Sequence, residues 1–360
     1  MNVRTGLIGG ALGLAATTAA VAVAVDRAAA ARRRVEQSGG TEKFADQPVD
    51  RSGVIVAEDG TGLYYEEVGP LAAPLTVVFV HGFALNLRSF FFQRRAIADE
   101  LGAHVRMVFY DQRSHGRSDR GDAERASIDQ LGRDLGVVLS TAAPYGPILL
   151  VGHSMGGMTI LALADQQPDL FKRRIRGVAL MSTSSGKLAA VTLGLPAVLA
   201  RAKGPLVQLA LRTARNQPAL VERGRSLGVD VAWAITRRLS FATEHVDPAT
   251  VNFVTSMIAA THIEVIADYY PALMAHDKLA ALDNLAGTQV LILCGDNDLV
   301  TPPSHSREMA ERLPEADLVI VDDAGHVVLL ERPEPTNRPV LRLIEGALAD
   351  IGVPRGPHRS

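Results

Sequence analysis

Gly152-His153-Ser154-Met155-Gly156 sets one serine between two glycines where the apolar run Ile148–Val151 ends. A serine hydroxyl is a poor nucleophile near neutral pH. It becomes useful beside a base that takes its proton, normally a histidine held by a carboxylate. Glycine on both flanks suits a sharp turn on which larger side chains would collide, although a plain glycine turn would show the same residues. The chemistry therefore depends on partners elsewhere in the chain. Gly295-Asp296-Asn297-Asp298 carries two carboxylates and Gly325-His326 a histidine, each just beyond another apolar run. His305 lies early in a helical pattern and reads as a surface residue. His245, His262 and His276 read as ordinary residues of a helical region.

Such segments need a scaffold that brings their ends together. Apolar runs at 75–82, 105–111, 148–154, 177–183, 289–296 and 316–326 have the form of strands buried on both faces, as in a parallel sheet covered by helices. A turn at Asp59-Gly60 between two extended runs predicts a hairpin ahead of them. Helical patterns fall at 87–101, 127–142, 155–167, 303–313 and 334–350. This alternation predicts an α/β fold with a mostly parallel, doubly wound sheet, which binds ligands beyond the carboxyl ends of its strands. Residues 187–276 break the alternation with helical sequence and read as a lid inserted between two strands. Apolar stretches there, at 188–199 and 253–260, are candidates to line an acyl pocket.

The chain resembles the α/β-hydrolase superfamily, in its capped esterase, lipase and haloperoxidase-like branch. His81-Gly82-Phe83, Asp111-Gln112-Arg113-Ser114-His115-Gly116-Arg117-Ser118, Gly152–Gly157, Gly295–Asp298 with Pro302, and Gly325-His326 carry the resemblance in order. It implies the α/β-hydrolase fold, with Ser154 on a strained strand-to-helix elbow, and the chain order nucleophile, acid, base. It assigns the acid to Asp298 rather than Asp296, a turn residue, and the base to His326. Backbone N–H groups of Phe83 and Met155 are its oxyanion donors, His81 supports its loop, and Gly157 eases packing of the following helix. Residues 111–118 form a structural loop in which Ser114 stands where members usually have glycine. No metal or organic cofactor is implied, and Ser154 argues against haloalkane dehalogenases and epoxide hydrolases, for which the resemblance would require aspartate there.

Composition bounds the rest. A net charge of −2 and 5% aromatic residues over 360 residues give no basic or base-stacking surface for nucleic acid. Cys294 is the only cysteine, so no intrachain disulfide can form. Gly6–Val25 is an uncharged apolar run of bilayer-spanning length, followed by Arg27, Arg32, Arg33 and Arg34. It reads as a membrane anchor with the catalytic part on the cytoplasmic side, or else as an export signal. The expected organisation is an anchor or signal at 1–25 and a linker at 26–50. The hydrolase core then occupies 51–186 and 277–354, with the helical lid at 187–276. The expected partner is a small-molecule ester or lipid cleaved through an acyl-serine. Acyl transfer or perhydrolysis on the same residues, and a non-catalytic membrane-tethered binding protein, are the alternatives.

Overall fold

The computed structural model describes residues 44–193, 233–243 and 246–353. Eight strands form one sheet: β1 (Arg51–Val56), β2 (Gly62–Val68), β3 (Leu75–Val80), β4 (Val105–Tyr110), β5 (Ile148–His153), β6 (Ile175–Met181), β7 (Gln289–Gly295) and β8 (Asp317–Val321). Their spatial order is β1-β2-β4-β3-β5-β6-β7-β8. β2 runs antiparallel to both neighbours, and every pairing from β4 to β8 is parallel. The expected hairpin is β1–β2, turning at Asp59-Gly60.

The apolar runs are continuous because alternate residues serve two cores. On β3, Val77 and Phe79 enter one cluster while Val78 and Val80 enter the other. On β5, Leu149 and Val151 oppose Ile148 and Leu150 in the same way. Helices α1 (Phe91–Leu101) and α9 (Pro333–Asp350) cover the first face through Ile97, Val340 and Ile344. Helices α2 (Ile128–Ala142) and α3 (Met155–Gln166) cover the second through Leu135, Leu139 and Ile160. Ser127 caps α2 by accepting from the N–H of Gln130 at 3.1 Å. The short helix α4 (Pro168–Arg174), started by its proline, had no counterpart in the sequence expectation. β8 departs from the buried-strand pattern, since Asp317 and Leu318 are exposed at an edge with β7 on one side only.

Between β6 and β7 the described residues are helical at 233–240, in α5 (Pro248–Ala260) and in α6 (Ile263–Met274). The last two meet at a 93° bend. β6 and β7 still pair directly, so the chain leaves the sheet and returns to it. Helices α7 (Pro303–Arg312) and α8 (Val328–Glu331) complete the set.

Phe44, within the stretch expected to be a linker, is buried and stacks on Phe253 of α5 with ring centroids 4.1 Å apart. The ordered fold thus begins before β1. The apolar run 6–25 lies outside the described residues. Among those described, no single helix is long and apolar enough to cross a membrane.

Candidate active site

β3 lies between β4 and β5: the chain passes from β3 to β4 on one side and crosses back to β5 on the other, which makes the carboxyl end of β3 the switch point at which such sheets bind ligands. His81-Gly82-Phe83 and Ser154 both sit there, on the turns after β3 and β5. Ser154 has φ 51° and ψ −118°, a conformation that costs a non-glycine residue roughly 1–3 kcal/mol. Its surroundings over-determine it. The N–H of Ser154 donates to Met181 O at 2.9 Å, and its carbonyl accepts from Thr183 Oγ1 at 2.6 Å and Gly157 N at 2.9 Å.

The flanking glycines are sterically required. A Cβ on Gly152 would lie 2.7 Å from backbone atoms of Gly156 and Gly157, and one on Gly156 would overlap the carbonyl oxygen of Val80. A Cβ on Gly157 would meet Thr183, so that glycine admits the loop after β6 against the start of α3. Gly156→Ala is therefore expected to destabilise the fold by about 3 kcal/mol, the upper end for overpacking, because β3 backbone cannot yield. Gly157→Ala, whose nearest clashes are with the Thr183 side chain rather than with backbone, should cost less. Thermal unfolding of the two variants checks this order, and equal melting temperatures would contradict it.

His326 Nε2 lies 2.9 Å from Ser154 Oγ, and its Nδ1 lies 2.9 and 3.1 Å from the Asp298 oxygens. Asp298 also accepts from the N–H groups of Val300 and Thr301 and from Thr301 Oγ1, each at 2.8 Å. Burial alone would raise its pKa. His326 and the donors of Thr301 outweigh burial and hold the carboxyl below the usual carboxylate range. An ionised Asp298 takes the Nδ1–H, which leaves the Nε2 lone pair for the Ser154 hydroxyl proton. Of the two carboxylates in the loop, Asp298 is the one beside His326. Asp296 accepts from Ala324 N at 3.2 Å, so it braces the neighbouring histidine loop as well as bonding Asn297 in its own turn.

The competing histidines are engaged elsewhere. His305 is half-buried rather than a surface residue, with Nδ1 2.6 Å from Ser184 Oγ. His276 is buried and donates from Nε2 to Ser184 O at 3.1 Å, while His245 lies outside the described residues. His81 supports its loop as expected. Its Nδ1–H donates to Gly82 O at 2.8 Å, and Nε2 accepts the N–H of Gln112 at 2.9 Å. Cys294 is no rival nucleophile, since burial pushes its thiol up to about 11.

The loop after β4 is a brace. Arg113, wholly buried, bonds Asp134 of α2 at 2.5 Å and Asp59 of the β1–β2 turn at 2.8 Å. Asp111 accepts from Leu87 N and Arg117 N, each at 2.8 Å. Ser114 adopts φ 67°, the left-handed backbone that glycine takes more readily, and its hydroxyl accepts from Gly121 N at 3.0 Å.

Phe83 and Met155 flank Ser154. A Cβ on Gly82, just before Phe83, would lie 3.2 Å from Ser154 Cβ, and Met155 opens α3 directly after it. Both side chains join an apolar cluster with Met158, Leu188, Val191 and Leu273. Of the stretches expected to line an acyl pocket, 188–193 therefore lies on the Ser154 side, and 194–199 falls outside the described residues. Phe253, Val254 and Met257 pack instead into the core with Phe44, while Val265, Tyr269 and Leu273 of α6 join the cluster that holds Phe83 and Met155. Among the described residues no three His, Cys, Asp or Glu side chains are grouped to hold a metal ion.

Three residues escaped the sequence reading. Thr301 holds Asp298, His153 donates from Nε2 to His326 O at 3.0 Å, and Glu331 accepts from Gly325 N at 2.6 Å. Only the Asp-x-x-Thr spacing at 298–301 carried a local signal, that of a turn in which aspartate bonds backbone two and three residues on.

Residues 76–333 match the family model described as alpha/beta hydrolase fold. The chain is 27% identical over 267 residues to the sn-1-specific diacylglycerol lipase ABHD11 of Mus musculus, covering 72% of this chain and 77% of that one. It is 26% identical over 290 residues to the dihydrolipoyllysine-residue acetyltransferase component of the acetoin cleaving system of Pseudomonas putida, covering 78% of this chain and 66% of that one. The fold superposes on a thermophilic esterase from Thermogutta terrifontis with TM-score 0.61 and 24% identity, covering 82% of this chain and 99% of that one.

Proposed function

Because the chain belongs to the α/β-hydrolase family, we propose that it is a serine hydrolase cleaving carboxylic esters, including lipid-like ones, through an acyl-serine intermediate. The observation that carries this reading is the unbroken row Ser154 Oγ, His326 and Asp298, joined at 2.9 Å on each side of the imidazole. In the reaction Ser154 Oγ attacks the acyl carbonyl carbon while His326 Nε2 takes its proton. The oxyanion is received by the N–H groups of Phe83 and Met155. Collapse expels the alcohol, which leaves with the proton from His326. Water then attacks the acyl carbon, again deprotonated by His326, and the acid departs as Ser154 regains its hydroxyl.

The helical insertion serves as a cover whose α6 face, with Phe83 and Met155, forms the apolar wall for the acyl chain; the shared cluster of these side chains supports it. Gly6–Val25 serves as a membrane tether, with the arginines after it keeping the enzyme on the cytoplasmic side.

The test uses the full chain and a chain beginning at Thr41, which spares Phe44. p-Nitrophenyl esters from acetate to palmitate should be turned over by both, with a preference set by the apolar wall, and by neither when Ser154→Ala is introduced. Activity of the full chain alone should sediment with membranes. Equal background in wild type and control would sink the hydrolase reading, and a soluble full chain would sink the tether. The likeness to an acetyltransferase component favours one second reading, in which the acyl-serine passes to an acceptor other than water. Adding a primary alcohol or hydrogen peroxide and identifying the product separates them. Free acid as the dominant product supports hydrolysis, and a new ester or peracid supports acyl transfer.

A further inference from the structure

The residues on either side of His326 are held by the insertion as well as by the core. Glu331, at the end of α8, makes the junction with both carboxylate oxygens. Oε2 accepts the N–H of Gly325 at 2.6 Å, and Oε1 accepts the N–H of Ala242 at 3.0 Å, in the insertion just after the helical stretch 233–240. On the other side of the base, Val327 donates its N–H to Ser240 O at 3.0 Å. Backbone meets backbone at the same place, since a Cβ on Gly325 would lie 2.7 Å from Phe241 Cα. The core contributes His153, through its bond to His326 O, and Asp296, through Ala324 N. His326 itself sits on an irregular turn between β8 and α8, so these ties rather than a helix or strand aim its imidazole.

From this geometry we infer that Glu331 is a positioning residue that keeps His326 against Ser154 while residues 240–243 of the insertion are docked. Placement of the cover and placement of the base are then one event. A carboxylate suits the task because it accepts two backbone N–H groups at once with charge-assisted bonds, and no neutral side chain of that length presents two acceptor oxygens. The inference rests on the serine hydrolase reading above.

Glu331→Gln keeps the side-chain volume but turns an amide NH₂ toward one of the two N–H groups. In the full chain it should lower kcat on p-nitrophenyl esters by about 10–100-fold, the scale of a displaced catalytic group, with KM little changed. Glu331→Asp, charged but one methylene short, should fall between it and wild type, and stands in should the glutamine variant fail to fold. Hydrogen–deuterium exchange should quicken together in peptides covering 240–243 and 324–328. A variant that melts earlier yet keeps wild-type kcat would overturn the inference, as would faster exchange confined to 240–243. If wild type hydrolyses no ester, the hydrolase reading falls on its own. Exchange then decides the tie, with linked change supporting it and change in one segment alone refuting it.

Discussion

Ser154→Ala should remove ester hydrolysis almost entirely, a fall in kcat on the order of 10⁶-fold, while the protein still folds. The size of the loss follows from the row of side chains. Among the described residues His326 has no other hydroxyl on its Nε2, and the bond between its Nδ1 and Asp298 survives the substitution, so the proposed base is left with nothing to activate. The proposed oxyanion donors, the N–H groups of Phe83 and Met155, and the proposed acyl wall are untouched and should account for what little rate remains. Folding survives because the strained backbone at position 154 is held by Met181 O, Thr183 and Gly157, none of which bonds the lost Oγ. His326→Ala should cost about as much and the double variant hardly more, because the two residues act as one unit. Steady-state kinetics and labelling by a fluorophosphonate decide the matter. A loss of less than about 100-fold, or fluorophosphonate labelling that persists in the variant, would place the nucleophile elsewhere.

A comparably large effect is expected from acid. His81, His115, His153 and His276 are all buried, and burial lowers them to about 3, 4, 3 and 4 from an ordinary 6.5. In the unfolded chain each takes a proton near pH 6.5, while in the folded protein each stays neutral until the pH approaches its lowered value. The stability they confer is present above pH 6.5 and is lost as pH falls toward 4. Asp111 acts in the opposite sense, because burial pushes its carboxyl up to about 6 and the folded state binds that proton first. Near pH 5 the unfolded chain thus holds about three more protons than the folded one, which makes stability fall by roughly 4 kcal/mol per pH unit. Against a total of about 5–15 kcal/mol, the protein should unfold within some two units below pH 6.5. Circular dichroism against pH checks this, and His276→Gln should lessen the slope by about 1.4 kcal/mol per unit. A melting temperature that stays level from pH 7 to 5 would mean that these histidines are hydrated in solution.

Some of the site could be read in the linear chain because its constraints are local. The elbow needs small residues within two positions of Ser154, and Gly152 and Gly156 are there whatever surrounds them. Apolar runs that end at or just before Ser154, Asp298 and His326 mark the carboxyl ends of parallel strands. Strand order alone then gathers residues as far apart as 154 and 326. The helices at 127–142 and 334–350 were legible because each buries one long apolar face.

Contacts that join distant segments left no such trace. Residue type does not separate Asp296 from Asp298, both turn-formers, so the resemblance alone picked Asp298; the structure places its oxygen 2.9 Å from an imidazole carried by another loop. His153 bonding His326, and Glu331 bonding Ala242 and Gly325, pair a side chain with backbone groups, whose identity no residue type encodes. Apolar content made 253–260 a candidate to line an acyl pocket, a role that helix-core packing would mimic. Phe44, more than 200 positions earlier, took that face, and α6 packed Val265, Tyr269 and Leu273 into the cluster that holds Phe83 and Met155. Periodicity and steric need are properties of neighbours along the chain, so they declare an elbow, a sheet and a reaction class. Which oxygen meets which nitrogen, and which segment packs on which, follow from close packing of segments brought together only by folding.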